Sequence, residues 1–138
     1  MPKKRELSAI ITGSGLSGNK GAMAMTIVVV EQLRRMVPGC TIALASKYPS
    51  QDRAMAEHLG IGLIPAVPGK LVTSTLVRSI LKIALKNLFP TRWSDKIIHA
   101  YDQADIMIDL GGITFSDDRD WRGLMLSIGF LLPAIATG

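Results

Sequence analysis

The stretch LSAIITGSGLSGNKGA, from Leu7 to Ala22, decides the fold, because an apolar run stops at a glycine cluster and a helix pattern follows. A short, mostly apolar run that ends in glycine is typical of a buried strand. The next segment, KGAMAMTIVVVEQLRRMVPG, has the length of a helix and ends at a Pro-Gly stop signal. The stretch therefore predicts a strand, a glycine-rich turn and a helix, the first unit of an α/β fold.

The rest of the chain continues this alternation. Strands are predicted at CTIALAS, IGLIPAV and DIMIDLGG, and Pro65 places the second of these near a sheet edge. Helices are predicted at SQDRAMAEHLG, with Ser50 as N-cap and Gly60 as C′ residue, and at GKLVTSTLVRSILKIALKNLFP, SDKIIHAYDQA and DWRGLMLSIGFLLPAIATG. The strands read as buried on both faces, so we expect a Rossmann-like parallel sheet with helices on both faces.

Length and composition narrow the classes of protein further. A chain of 138 residues suffices for one domain, and 48% apolar with 20% charged residues is typical of a folded protein. Cys40 is the single cysteine and no signal peptide pattern begins the chain, which favours a cytoplasmic location. The longest apolar run, from Leu124 to Ala136, is too short to span a bilayer and contains Pro133, so it predicts a buried helix.

The distribution of charge argues against nucleic acid as a partner. The net charge is +5, but residues 100–138 carry six acidic and two basic groups, and only 5% of the residues are aromatic. A nucleic-acid-binding domain would present a more uniform basic surface and more aromatic rings for stacking. His58 and His99 have no Cys or His at ligand spacing, so no metal site is predicted.

The glycines Gly13, Gly15 and Gly18 match a dinucleotide fingerprint in their spacing. That fingerprint also needs an acid at the tip of the second strand to hold a ribose hydroxyl. Ser46 and Lys47 occupy that tip, and Asp52 follows too late, so we expect no cofactor. The turn still contains backbone amides and small polar side chains that could bind an anion or a sugar hydroxyl. The alternative is a plain turn whose glycines supply positive φ. The polar residues of the turn are Ser14, Ser17, Asn19 and Lys20.

A second glycine cluster, DLGGITFSDDRDWRG, follows the last predicted strand. In parallel α/β sheets the ligand crevice lies beyond the carboxyl ends of the strands, and both clusters are predicted there. In the second cluster, the glycines let the backbone pass close to a ligand, and the hydroxyls and carboxylates could bind sugar hydroxyls or supply a general base. These residues are Gly111, Gly112, Thr114, Ser116, Asp117 and Asp118. The alternative is a helix N-terminus enriched in acids by the helix dipole, to which Asp120 belongs.

A basic stripe of Arg78, Lys82 and Lys86 recurs every four residues in an otherwise apolar predicted helix. It is either the solvated face of a core helix or a peripheral patch for anionic lipid or an acidic acceptor. The stripe leaves membrane association open.

Two motifs together resemble the polysaccharide pyruvyl transferase family. They are NKGAMA at residues 19–24 and ADIMIDLGGITFSDD at residues 104–118, and their order and separation are similar to those of the family from Leu7 onward. Ala22 stands where the family often has an aspartate, which places a catalytic carboxylate there in doubt.

The resemblance implies a two-domain, GT-B-like transferase that moves a pyruvyl unit from phosphoenolpyruvate to sugar hydroxyls in polysaccharide biosynthesis. Residues 1–138 would be its Rossmann-like N-terminal, acceptor-side domain, a fragment expected to be inactive without the C-terminal domain that holds most of the donor site. Homo-oligomerisation is left open. The predicted catalytic residue is Asp117, and the predicted substrate-binding residues are Ser14, Gly15, Ser17, Asn19, Lys20, Gly21, Gly111, Gly112, Thr114 and Asp118. The alternative function is a nucleotide- or dinucleotide-binding module with a regulatory or partner-binding role.

Overall fold

The computed structural model describes residues 6–66, 76–84, 96–111 and 121–137. The strands follow the predicted order and are β1 (Ser8–Thr12), β2 (Thr41–Ser46), β3 (Gly62–Pro65) and β4 (Ile106–Asp109). The helices in these ranges are α1 (Lys20–Met36), α2 (Pro49–His58), α3 (Leu76–Ala84), α4 (Lys96–Gln103) and α5 (Trp121–Thr137). The chain is therefore an α/β protein, as the sequence predicts.

The four strands form one parallel sheet in the order β3-β2-β1-β4. Pro65 lies in β3 at an edge of this sheet, as predicted from its missing N–H. The chain adds β2 and β3 on one side of β1 and β4 on the other, so the order of strands reverses between β1 and β4. In open parallel sheets this switch point is where the crevice at the carboxyl ends opens.

Helices cover both faces of the sheet, because alternate residues of β1 point to opposite sides. Ile11 packs with Val30 of α1 and Ala56 of α2 in one core. Ile10 packs with α4 and α5 in a second core, through Tyr101 and Phe130 among others. The prediction of helices on both faces is confirmed.

Helix α2 begins one residue before the predicted cap. Its N-cap is Tyr48, and the helix opens with Pro49, whose missing N–H is no loss in the first turn. The predicted N-cap role of Ser50 is therefore wrong, while Gly60 takes φ 59° just after the C-cap, as predicted. Arg34 of α1 donates hydrogen bonds to the carbonyl of Leu59 and to that of Gly60, the latter at 3.2 Å, and joins the two helices.

Helix α5 contains the apolar segment predicted as a buried helix, but only one side of it is buried. Phe130 lies in the second core, whereas Leu124 and Ile135 are exposed. Among the described residues, no helix combines the length and the hydropathy that crossing a bilayer requires.

A buried carboxylate fixes the first loop to its surroundings. Asp52, in the first turn of α2, is 1% exposed. It accepts hydrogen bonds from the Leu16 amide at 3.2 Å and from the Ser46 hydroxyl at 2.6 Å. The carboxylate thus joins the β1–α1 loop, the end of β2 and the start of α2, and both of its oxygens are occupied by the fold.

We expect Asp52→Ala to lower the free energy of unfolding by about 3 kcal/mol, because it leaves a buried amide and a buried hydroxyl without their acceptor. Asp52→Asn keeps one acceptor oxygen, so its loss will be smaller. Urea denaturation measures both, with Glu57→Ala as the control on an exposed position of the same helix. Equal stabilities of Asp52→Ala and Glu57→Ala would contradict this role.

Candidate functional site

The two glycine-rich loops meet at the switch point between β1 and β4. Gly13 follows β1 with φ 72°, a conformation that favours glycine. A Cβ atom at this position would overlap Asp109 Oδ1 and the Gly111 nitrogen, and would lie 2.7 Å from Gly111 Cα. Gly13 therefore serves the close approach of the β1–α1 loop to the end of β4 and to Gly111.

Asp109 provides an anchored carboxylate at this point. Its Oδ1 accepts hydrogen bonds from the Thr12 hydroxyl at 2.9 Å and from the Gly111 amide at 3.3 Å. The residue is exposed, and no described residue donates to its Oδ2. Thr12 and Asp109 are paired across the sheet, which holds the carboxylate at its carboxyl edge.

A buried phenol lies beneath this carboxylate. Tyr101 of α4 is 4% exposed, and its hydroxyl has no hydrogen-bond partner among the described residues. Burial raises the pKa of Tyr101 above its ordinary range, the negative charge of Asp109 raises it further, and the nearby Thr12 hydroxyl opposes the shift. The phenol stays protonated at neutral pH and keeps a donor beside the Thr12–Asp109 pair.

The first predicted binding residue, Ser14, serves the loop itself. Its hydroxyl donates to the Ala22 carbonyl at 2.9 Å and lies 2.8 Å from the hydroxyl of Thr26. Thr26 is fully buried and also donates to Ala22. These bonds hold the glycine-rich turn against α1 and occupy the Ser14 side chain.

The backbone amides at the start of α1 also have hydrogen-bond acceptors within the protein. Asn19 is the N-cap, and its Oδ1 accepts from the Gly21 amide at 2.8 Å and the Ala22 amide at 3.2 Å. The Met23 amide bonds the Asn19 carbonyl at 3.0 Å. Three of the amides that would bind an anion at this helix start are therefore already engaged.

The other predicted residues of this loop lie nearer the surface. Lys20 and Gly21 are exposed, and the Ser17 hydroxyl is 3.4 Å from the Gln51 side-chain oxygen. Gly15 is half-buried, and a Cβ there would lie 3.6 Å from Asp52 Oδ2, an ordinary contact. In this loop, Asn19 and Ser14 therefore have structural roles, and the other predicted residues lie around them.

The tip of β2 lacks the acid that a dinucleotide site requires. Ser46 is fully buried and bonded to Asp52, whose carboxylate faces inward. Lys47 Nζ lies 5.5 Å from the centroid of the Phe130 ring, a cation–π contact. The geometry agrees with the sequence argument against a ribose-binding carboxylate here.

The remaining predictions fall on residues that the structure does not describe. Gly112, Thr114, Ser116, Asp117, Asp118 and Asp120 lie outside the described residues, as does Lys86, so their roles stay predictions. Gly111 is described, is buried, and donates to Asp109. In the described ranges no three His, Cys, Asp or Glu residues cluster as a metal site, and both histidines are exposed.

The sequence predictions missed Thr12, Asp109 and Tyr101. The signal for the first two is that each is the polar last residue of an apolar strand, at the edge where the crevice was expected. Tyr101 carries no such signal, because its position under β1 depends on how α4 packs.

We expect Gly13→Ala to lower the free energy of unfolding by about 3 kcal/mol, since it adds both backbone strain and overlap with β4. Gly18→Ala is the matched control: Gly18 also has positive φ, 80°, but a Cβ there meets nothing within 4 Å. The control isolates the strain, at about 1–2 kcal/mol. Thermal or urea unfolding that gives equal losses for the two variants would show that the loops do not depend on this contact.

We expect Tyr101 to stay protonated in the folded protein at pH values above about 10, where a free tyrosine ionises. The chain has two tyrosines, so in Tyr48→Phe the tyrosinate absorbance reports Tyr101 alone. Because the folded pKa is the higher one, the unfolded state loses its proton first as the pH rises. The free energy of unfolding should then fall by up to about 1.4 kcal/mol per pH unit above that value.

Removing both tyrosines, in Tyr48→Phe with Tyr101→Phe, should abolish this part of the alkaline loss of stability. Titration of Tyr101 near pH 10 in the folded Tyr48→Phe protein would contradict its burial beside Asp109.

Comparison with models of protein families, with curated proteins and with solved structures returned no match to this chain. A function must therefore be argued from the carboxyl edge of the sheet at the switch point. Its described components are an anchored carboxylate, a buried phenol and the close contact of Gly13 with Asp109 and Gly111.

Proposed function

We propose that the chain is the N-terminal, acceptor-side domain of a pyruvyl transferase-like enzyme, and that its crevice binds a sugar hydroxyl. The observation that carries the proposal is the meeting of the two motif-bearing loops at Gly13 and Asp109. Gly13 lies in the β1–α1 loop, six residues before the first motif, and Asp109 lies within the second motif, 96 residues after Gly13 in sequence. Their convergence at a switch point is what a shared binding crevice requires.

The chemistry of the crevice suits a neutral, hydroxyl-bearing ligand. A sugar hydroxyl donates to Asp109 Oδ2, while the Thr12 hydroxyl and the Gly111 amide keep Oδ1 in place. A carboxylate held in this way also accepts the proton of a hydroxyl that attacks the donor, the role of a general base. Asp117 remains a second candidate for that role. Phosphoenolpyruvate is assigned to the further domain of a GT-B-like enzyme.

The alternative, a nucleotide-binding regulatory module, has less support. The amides at the start of α1 are occupied by Asn19, and the β2 tip holds Ser46 bonded to an inward-facing carboxylate. In a dinucleotide-binding fold, the start of the first helix binds the pyrophosphate and the tip of the second strand binds the ribose. Nucleotide binding would thus require this chain to break bonds that stabilise its first loop.

Saturation-transfer NMR with a panel of neutral mono- and disaccharides tests the proposal. We expect Asp109→Asn to weaken saccharide binding by about tenfold or more, because it loses a charge-assisted hydrogen bond. Glu31→Gln is the control, since it removes an exposed carboxylate on α1 with the same change of charge. Equal binding by the two variants, or no saccharide signal, would contradict the proposal.

Two further outcomes separate the alternatives. Stabilisation by NAD(P) or another nucleotide at micromolar concentration, without any saccharide effect, would favour the regulatory module. Pyruvyl transfer from phosphoenolpyruvate by the 138-residue chain alone would contradict the assignment of the donor site to a second domain.

A further inference from the structure

Helix α1 exposes an apolar stripe along the first half of its length. The stripe consists of Gly21, Ala24, Met25 and Val28, all exposed, with Met25 at 42% and Val28 at 54%. Their i, i+3, i+4, i+7 spacing places them on one face of the helix, opposite the side on which Val30 enters the core. The segment 21–30 contains no charged residue. The outer face of α1 is therefore apolar, where a surface helix normally carries charges.

One charged residue of each sign borders this stripe. Lys20 precedes it and Glu31 follows it, and both are exposed. Neither has an ion-pair partner in the part of the chain that the structure describes. The two residues are 11 positions apart in sequence, which is close to three helical turns. They therefore lie on the same flank of the stripe, about 16 Å apart along the helix axis.

This order of charges is complementary to itself under a two-fold axis. In an antiparallel pair of α1 helices, with the axis midway between Lys20 and Glu31, the same flank of each helix faces its copy. Lys20 of one helix then lies opposite Glu31 of the other, and the reciprocal pair forms at the other end. Arg35 lies one turn further along, beyond the first residue of the opposite helix. The axis passes beside Met25, so the apolar stripes of the two helices meet.

The flanking charges argue against other occupants of this face. An anionic bilayer attracts a helix whose apolar face has a cationic rim, whereas Lys20 and Glu31 cancel each other. A parallel pair of α1 helices would bring like charges to the same level, which is unfavourable. A second copy in the antiparallel orientation is the occupant that both charges favour.

We propose that the chain forms a two-fold homodimer through antiparallel packing of α1 against its copy. Met25 and Val28 are buried at the centre of the interface, and Lys20 and Glu31 form two reciprocal ion pairs at its ends. A single helix pair buries less area than a standard protein interface, so we expect a Kd in the range of about 1–100 μM. The dimer does not depend on the sugar-binding function proposed above.

Sedimentation equilibrium over a range of protein concentrations tests this interface. We expect Val28→Glu to raise the Kd of the dimer by about tenfold or more, because it places two like charges in the centre of an apolar contact. Val77→Glu is the matched control: Val77 lies on α3, is 51% exposed, and undergoes the same substitution with the same change of charge. Circular dichroism and thermal unfolding verify that both variants are folded.

Charge reversal tests the antiparallel register. Lys20→Glu and Glu31→Lys should each raise the Kd by about fivefold, since each variant brings like charges together at both ends of the helix pair. The double variant exchanges the two charges, so it should restore the Kd of the unmodified protein. A disturbance of α1 by either substitution would not be rescued in this way.

Three results overturn the proposal. The first is a protein that remains monomeric at concentrations up to about 1 mM, well above the expected Kd. The second is a dimer that Val77→Glu dissociates and Val28→Glu does not, because the interface then lies on α3. The third is a double charge variant that dimerises no better than the two single variants, because the antiparallel pairing of Lys20 with Glu31 is then absent.

Discussion

A carboxylate without access to water must receive hydrogen bonds from the protein, and Asp52 imposes this requirement on the first half of the chain. Its donors come from Leu16 in the β1–α1 loop and Ser46 at the end of β2, so three elements must be in place together. The loop so fixed carries Gly13, on whose position the contact with β4 depends. The position of Gly13 against Asp109 and Gly111 thus depends on a buried carboxyl group that lies outside the switch point.

Polar groups around the crevice fall into two sets with different consequences. Those of the first loop, such as Ser14 and Asn19, form hydrogen bonds with the backbone at the start of α1, which stabilises the loop. Those at the end of β4 and in α4 have unused hydrogen-bonding capacity: Asp109 Oδ2 and the Tyr101 hydroxyl have no partner among the described residues. The unpaired polar atoms among the described residues at the switch point therefore lie at β4 and in α4, and not in the glycine-rich loop.

Local patterns were sufficient to predict the parallel α/β fold, the helices on both faces, the edge position of Pro65 and the left-handed Gly60, because each depends on a few neighbouring residues. Relations across the chain were not predictable. The sequence places Asp52 too late for a ribose acid but cannot show that it turns inward. Periodicity likewise identifies α3 as amphipathic without showing which face it exposes, since that depends on packing against α5. Predictions for Gly112 to Asp118 remain predictions.

The strand order has a consequence for how the crevice arises during folding. The elements β1, α1, β2, α2 and β3 lie within residues 8–65, and each strand pairs with the next one along the chain. β4 instead pairs with β1, and the pairing of Thr12 with Asp109 joins residues that are 97 positions apart in the sequence. Contacts of short sequence separation form faster, because closing a long loop costs more conformational entropy. The switch point between β1 and β4 should accordingly form late in folding, after the pairing of β1, β2 and β3 that supports it.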